Sequence, residues 1–155
     1  MADREQYCTF HLGKLFLGVR VQDVQEVIRY QDLTRVPLAP PTVRGLINLR
    51  GQIVTAIDLR RRIGLPDRAV DQLPMNVVVR DAEGIVSLLV DEIGDVLEVD
   101  DVEIQSPPST LRGMARDLIQ GVFKLESRLL LLLDVEQTFR VDAAADMSVA
   151  TKGGA

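Results

Sequence analysis

Apolar and polar positions alternate along most of the chain, and the alternation breaks at short stretches containing glycine or proline. In residues 7–12, Cys8, Phe10 and Leu12 share one face, with His11 on the other. Gly13-Lys14 then turns the chain and residues 15–21 return, a pattern that predicts a β-hairpin. Residues 22–28 depart from it. Val24, Val27 and Ile28 recur at three- and four-residue spacing, which predicts one or two helical turns. Pro37, Pro40 and Pro41 interrupt the chain, and residues 43–49 and 52–57 form a second predicted hairpin around Arg50-Gly51. Asp58 is positioned to cap a short helix through Arg62, which Gly64 and Pro66 stop.

The whole arrangement is written twice. Residues 7–28 lie on 76–97 without a gap, and residues 43–59 lie on 119–135. In the second block Gly45 meets Gly121, Leu49 meets Leu125 and Asp58 meets Asp134. Two blocks in the same order, separated by one change of loop length, indicate an internal repeat. The second copy predicts strands at 76–80, 85–90, 122–125 and 128–133, a short helix at 91–97 matching 22–28, a loop over 106–117, and a helical turn over 135–139. Five short strands per copy point to a mostly all-β chain of two small barrels, because closure removes exposed edges. The expected division is a folded unit over 1–140, with barrels at about 7–70 and 71–140, and a small, polar, flexible tail over 141–155. Whether the first strand of one copy completes the other barrel is left open by the pattern.

Composition narrows the function. A chain of 155 residues holds one domain or two very small ones. Six aromatics, no Trp and a net charge of −5 argue against a nucleic-acid binder. The longest purely apolar run, Leu129 to Leu133, is far short of a membrane span, and the charged N-terminus is unlike a secretory peptide. One Cys allows no intrachain disulfide, so a soluble, intracellular protein is expected. Residues 1–70 carry a net +4 (eleven bases, seven acids) and the remainder −9 (seven bases, sixteen acids). Both regions read as solvated faces, or as opposite ends that steer partners.

No catalytic constellation is present. His11 is the single histidine and lies on the outward face of its strand, so it is expected to point to solvent; Cys8 falls on the inward set as a small core residue. There is no nucleophile elbow and no phosphate loop, and the acids of 91–103 lack the ligand spacing of a calcium loop. Asp58 and Asp134 read as helix caps. What remains is a scaffold with functional loops and one unmatched position, Arg50, whose repeat partner is Glu126. An arginine held at a tight turn presents a forked donor outward.

Residues 43–54, Val-Arg-Gly-Leu-Ile-Asn-Leu-Arg-Gly-Gln-Ile-Val, with Ile57-Asp58-Leu59-Arg60 after them, resemble the signature of the CheW chemotaxis coupling proteins. Val24-Gln25-Glu26-Val27, Thr34-Arg35-Val36 and Val90-Asp91-Glu92-Ile93-Gly94-Asp95-Val96-Leu97 match the same family, so the resemblance covers roughly 7–140. It implies two SH3-like five-stranded β-barrels and a non-enzymatic adaptor without catalytic, metal or cofactor sites. The implied partners are the cytoplasmic tips of methyl-accepting chemoreceptors and the histidine kinase CheA, through its CheW-like regulatory domain. The implied location is the cytoplasm, at membrane-associated receptor arrays, with no nucleic acid and no membrane insertion. A CheW-like coupler of a pilus-motility or surface-sensing pathway is the alternative. Mapped onto this chain, the binding positions are Arg50 with Gly45, Asn48 and Gly51, and then Glu26, Val27 and Val24. The repeat adds Ile93 and Val96: at least one of Val24, Val27 and Ile28, together with Val96 or Ile93, is expected to line a groove between the barrels that takes a receptor helix.

Overall fold

Period-two patterning becomes ten strands in the computed structural model, which describes residues 4–109, 111 and 114–138. The first repeat copy supplies β1 (Arg4–Leu12), β2 (Leu15–Arg20), β3 (Val24–Ile28), β4 (Val43–Leu49) and β5 (Gln52–Asp58). The second supplies β6 (Met75–Asp81), β7 (Gly84–Val90), β8 (Glu92–Asp100), β9 (Ile119–Lys124) and β10 (Leu129–Leu133). Helix α1 (Leu59–Ile63) follows β5, and a helical turn at 135–138 follows β10. Each is capped as expected. Asp58 Oδ1 accepts the Arg60 N–H at 3.1 Å and Asp134 Oδ1 accepts the Gln137 N–H at 3.3 Å, while Gly64 ends α1 in the left-handed region at φ 92°. The expected tail over 141–155, like residue 139, lies outside the described residues.

The strands form two five-stranded sheets, ordered β8-β1-β2-β10-β9 and β3-β6-β7-β5-β4. Each is curled into a partly open, SH3-like barrel, and each takes its first hairpin from the opposite repeat copy. Exchange therefore involves two strands rather than one. Parallel pairing of β2 with β10, and of β5 with β7, sews each borrowed hairpin in place. In consequence the largest core lies between the barrels, where Phe10, Leu12, Leu17 and Val19 of one sheet meet Val77, Val79, Leu88 and Val90 of the other. Smaller cores fill the barrel interiors: Ile47, Val54, Val78 and Leu89 in one, Tyr7, Val99, Leu130 and Leu132 in the other.

Several expectations are corrected. Residues 22–28 are not helical: a 3-10 turn at Val21–Asp23 leads into β3, whose register with β6 shifts between Val24 and Glu26. That bulge adds one residue to the strand, so apolar positions fall three apart and mimic a helix. The predicted helix at 91–97 is likewise β8, on a register shift between Cys8 and Phe10 of β1. The loop over 106–117 contains helix α2 (Met114–Leu118), whose last residue, Leu118, is fully buried. Strand β1 is covered on both faces by two different cores, so strict alternation fails along it. Cys8 is only partly buried, whereas Tyr7 and Thr9 on the face read as outward are buried. His11 does not simply face solvent. Its ring lies 4.9 Å from that of Phe16, its Nε2 is 3.1 Å from Arg128 Nη1, and its Nδ1 is buried.

Candidate functional site

The β4–β5 hairpin turns on two residues with positive φ, Arg50 at 53° and Gly51 at 88°, the signature of a type I′ turn. Asn48 Oδ1 accepts the Gly51 N–H at 2.8 Å and fixes the turn. Among the described residues, the only other non-glycine with positive φ is Leu38. Left-handed backbone disfavours an arginine by about 1 kcal/mol. Its side chain is 79% exposed, yet Nη2 reaches back 3.0 Å to Glu26 Oε1 on β3, which is 16% exposed. Strands β3 and β4 are opposite ends of their sheet, so this ion pair links its two edges at the hairpin tip. Ile53 of β5 (62% exposed) and Val27 of β3 (36%) add apolar surface near the same end.

The remaining sequence-predicted positions divide by location. Gly45 is buried and lies under the chain that follows β3: Thr34 and Leu46 exchange both backbone hydrogen bonds, at 2.8 and 2.9 Å. A Cβ at Gly45 would stand 2.6 Å from the Thr34 carbonyl oxygen, at a φ of 154°. Its repeat partner Gly121 is equally crowded, 2.6 Å from Ile104 Cγ2, beneath the matching bridge of Gln105 to Val122. Gly45 thus admits the segment that crosses β4 and acts on the tip only through that strand. Val24 and Ile93 are partly buried against the central core, whereas Val96 on β8 is 53% exposed. The described cavities bring neither Val27 nor Val96 into a shared groove.

A buried charge centre went unread in the sequence. Asp91, between β7 and β8, accepts from Arg60 Nη2 at 2.6 Å, Arg60 Nε at 2.9 Å, Arg68 Nε at 3.0 Å and the Gly13 N–H at 2.7 Å. Burial by itself pushes the Asp91 carboxyl up, but the hydrogen bonds from Arg60, Gly13 and Arg68 outweigh it and hold the pKa at about 2. The centre joins the β1–β2 turn of one barrel to the segment after α1 on the other. Its one sequence signal is the unlike repeat partner of Asp91, which is Gln22. The expected split into basic and acidic ends is correspondingly weaker. Arg60 and Arg68 are matched by Asp91, and Arg4 approaches Glu98 at 3.5 Å.

Among the described residues, no group of three or more His, Cys, Asp or Glu side chains is arranged to hold a metal ion. Burial raises the Cys8 thiol pKa, which disfavours the nucleophilic thiolate. The chemistry on offer is recognition by an exposed guanidinium and flanking aliphatic side chains.

The profile of the CheW-like domain family matches residues 6–143. The chain is 30% identical over 138 residues to the chemotaxis protein CheW of Treponema pallidum (strain Nichols), covering 86% of this chain and 81% of that one. It is 33% identical over 132 residues to the chemotaxis protein CheW of Bacillus subtilis (strain 168), covering 84% and 83%. The crystal structure of the scaffolding protein TtCheW from Thermoanaerobacter tengcongensis superposes with a TM-score of 0.79 at 26% identity, covering 90% of this chain and 93% of that one. A strained, outward-facing arginine on a two-barrel scaffold, read with these matches, identifies the chain as a member of the CheW family of chemotaxis scaffold proteins.

Proposed function

We propose that this chain is a non-enzymatic adaptor coupling methyl-accepting chemoreceptors to a CheA-type histidine kinase in a chemotaxis array. The observation that carries the reading is the Arg50 tip. A turn with two positive φ angles is most easily made by Asn-Gly or Gly-Gly, so an arginine there bears strain that folding does not require. Glu26 at 3.0 Å aims its guanidinium, leaving other N–H groups for a partner's carboxylates or carbonyls. In this reading Arg50 faces the kinase's CheW-like regulatory domain, with Asn48 and Gly51 shaping its turn and Gly45 holding β4. Val27 and Val96, exposed on β3 and β8, serve the helical receptor tip, with Val24 and Ile93 backing them from the central core, and Glu26 orients it at the rim.

Protein partners suffice for this role, without nucleic acid or cofactor. The adaptor works in the cytoplasm, recruited to the array by its partners; no helix among the described residues is long and apolar enough to cross a membrane. Relatives matched over more than four-fifths of this chain are named as chemotaxis proteins, which favours this pathway over pilus motility or surface sensing. The test is Arg50→Glu in a pull-down with the receptor and kinase of the same organism. Folding should persist, since Arg50 is 79% exposed and an ion pair at such a site is worth about 0–1 kcal/mol. Ternary assembly and kinase activation should be lost. Undiminished assembly would overturn the reading.

A further inference from the structure

A second feature lies away from the Arg50 tip and does not depend on the adaptor reading. Between the segment after β3 and the segment after α1 is a cavity of about 360 Å³, within the size range of small-ligand sites. Its polar wall is Arg44 of β4, Asp58 at the end of β5, Asp67, Arg68 and Gln72; its apolar wall includes Leu33 and Leu73, with Tyr30 beside them. We propose that this cavity binds a small monocarboxylate with an apolar body.

Charge balance supplies the first argument. Arg61 and Asp67 neutralise each other through two contacts at 2.9 and 3.0 Å. That leaves Arg44, Arg60 and Arg68 against Asp58 and Asp91, one positive charge in excess among the described ion pairs. The buried groups balance, Arg60 and Arg68 against Asp58 and Asp91, so the excess is the charge of Arg44, 39% exposed on the cavity wall, where an entering anion can meet it. Donor geometry supplies the second. Arg60 is satisfied by Asp91 and by the Pro66 carbonyl at 2.8 Å. Towards the cavity the contacts are long: Arg68 Nη1 is 3.5 Å from both Asp58 oxygens, Arg68 Nη2 is 3.4 Å from the Leu89 carbonyl, and Arg44 Nη1 is 3.8 Å from Asp58. Charge-assisted bonds settle nearer 2.7–2.9 Å. One buried carboxylate is therefore shared at long range by two guanidiniums, each retaining donors for another oxygen pair.

Asp58 and Asp67 stand in the same lining, and the single positive charge in excess balances one carboxylate, so a singly charged anion is favoured over a doubly charged one. The apolar body follows from Leu73, 61% exposed at the cavity wall, which a bound hydrocarbon would cover.

Titration of the full chain with benzoate, benzamide and inorganic phosphate, read by calorimetry and amide NMR, tests the assignment. Benzoate should saturate with a Kd of about 1 mM or tighter, shifting amides around residues 30, 44, 68 and 73. Benzamide, of like shape but uncharged, and phosphate, without an apolar body, should not saturate. Arg44→Gln should keep the melting temperature, since Arg44 is 39% exposed, and weaken benzoate by about tenfold. Failure of benzoate to bind, equal binding of benzamide, tighter binding of phosphate, or undiminished affinity in Arg44→Gln would each overturn it.

Discussion

Replacing Asp91 by Asn tests whether the buried charge centre locks the two barrels together. The carboxylate is 6% exposed, and the guanidiniums it holds, Arg60 and Arg68, are 14% and 8% exposed. Asparagine keeps one acceptor oxygen but loses the charge and turns an NH2 toward donors, so beyond that oxygen Arg60 keeps the Pro66 carbonyl and Arg68 its long contacts to Asp58 and Leu89. Breaking a buried pair by removing one partner costs about 3–5 kcal/mol. For a chain of this length that lowers the melting temperature by about 10 °C. Acid gives an independent magnitude. The Asp91 pKa is about 2 in the folded chain, against 3.8 as the ordinary value, so folding favours the ionised form. Its contribution is fully present above pH 4 and is lost as pH falls from about 4 to about 2, and it amounts to about 2 kcal/mol. Urea unfolding followed by circular dichroism at pH 7, 4, 3 and 2 should show wild type losing this increment while Asp91→Asn does not. The reasoning fails if the variant unfolds within about 1 kcal/mol of wild type at pH 7, or if both share one acid profile.

The glycines beneath the bridging segments make a paired case. Gly45→Ala and Gly121→Ala should each destabilise by about 1–3 kcal/mol in denaturant melts, because the added methyl meets Thr34 or Ile104 at 2.6 Å. A neutral Gly45→Ala that still lost partner binding would make Gly45 a contact residue instead. Val27→Ser, at a 36% exposed position, should leave the fold intact and weaken the receptor tip by more than about 1 kcal/mol, with less effect on the kinase. Equal losses in the two affinity measurements would assign Val27 to the core.

How much was legible follows from the range of each interaction. Strand positions, the Asp58 and Asp134 caps and the Arg50-Gly51 turn are set by neighbours within a few residues, and these match the structure. The two false helices, at 22–28 and 91–97, share a cause: a one-residue bulge shifts period two into an apparent spacing of three. Exchange of the hairpins lay beyond the pattern because alternation reveals which side chains share a face, not which sheet receives them. The same holds for β1, whose two faces meet two cores. Arg50 was legible from its own turn, but its partner Glu26 lies 24 residues away and Asp91 lies 31 residues from Arg60. No local pattern encodes such pairs.

The repeat separates folding demands from acquired ones. Where the two copies agree, geometry requires it. Gly45 and Gly121 both admit a crossing backbone, Leu46 and Val122 both receive the bridging residue, and Asp58 and Asp134 both cap a helical turn. Where they differ, pseudo-symmetry is broken at a point of consequence. Arg50 faces Glu126 across the repeat, and its tight two-residue turn corresponds to the four residues between β9 and β10. Asp91 faces Gln22, and the Asp91 centre therefore exists on one side of the molecule only. A two-barrel chain with identical halves would offer the same surface twice and could not distinguish its partners. Breaking the symmetry at one hairpin tip, on a scaffold stiffened at one junction, gives the two ends different chemistry while the shared glycines and caps keep one fold.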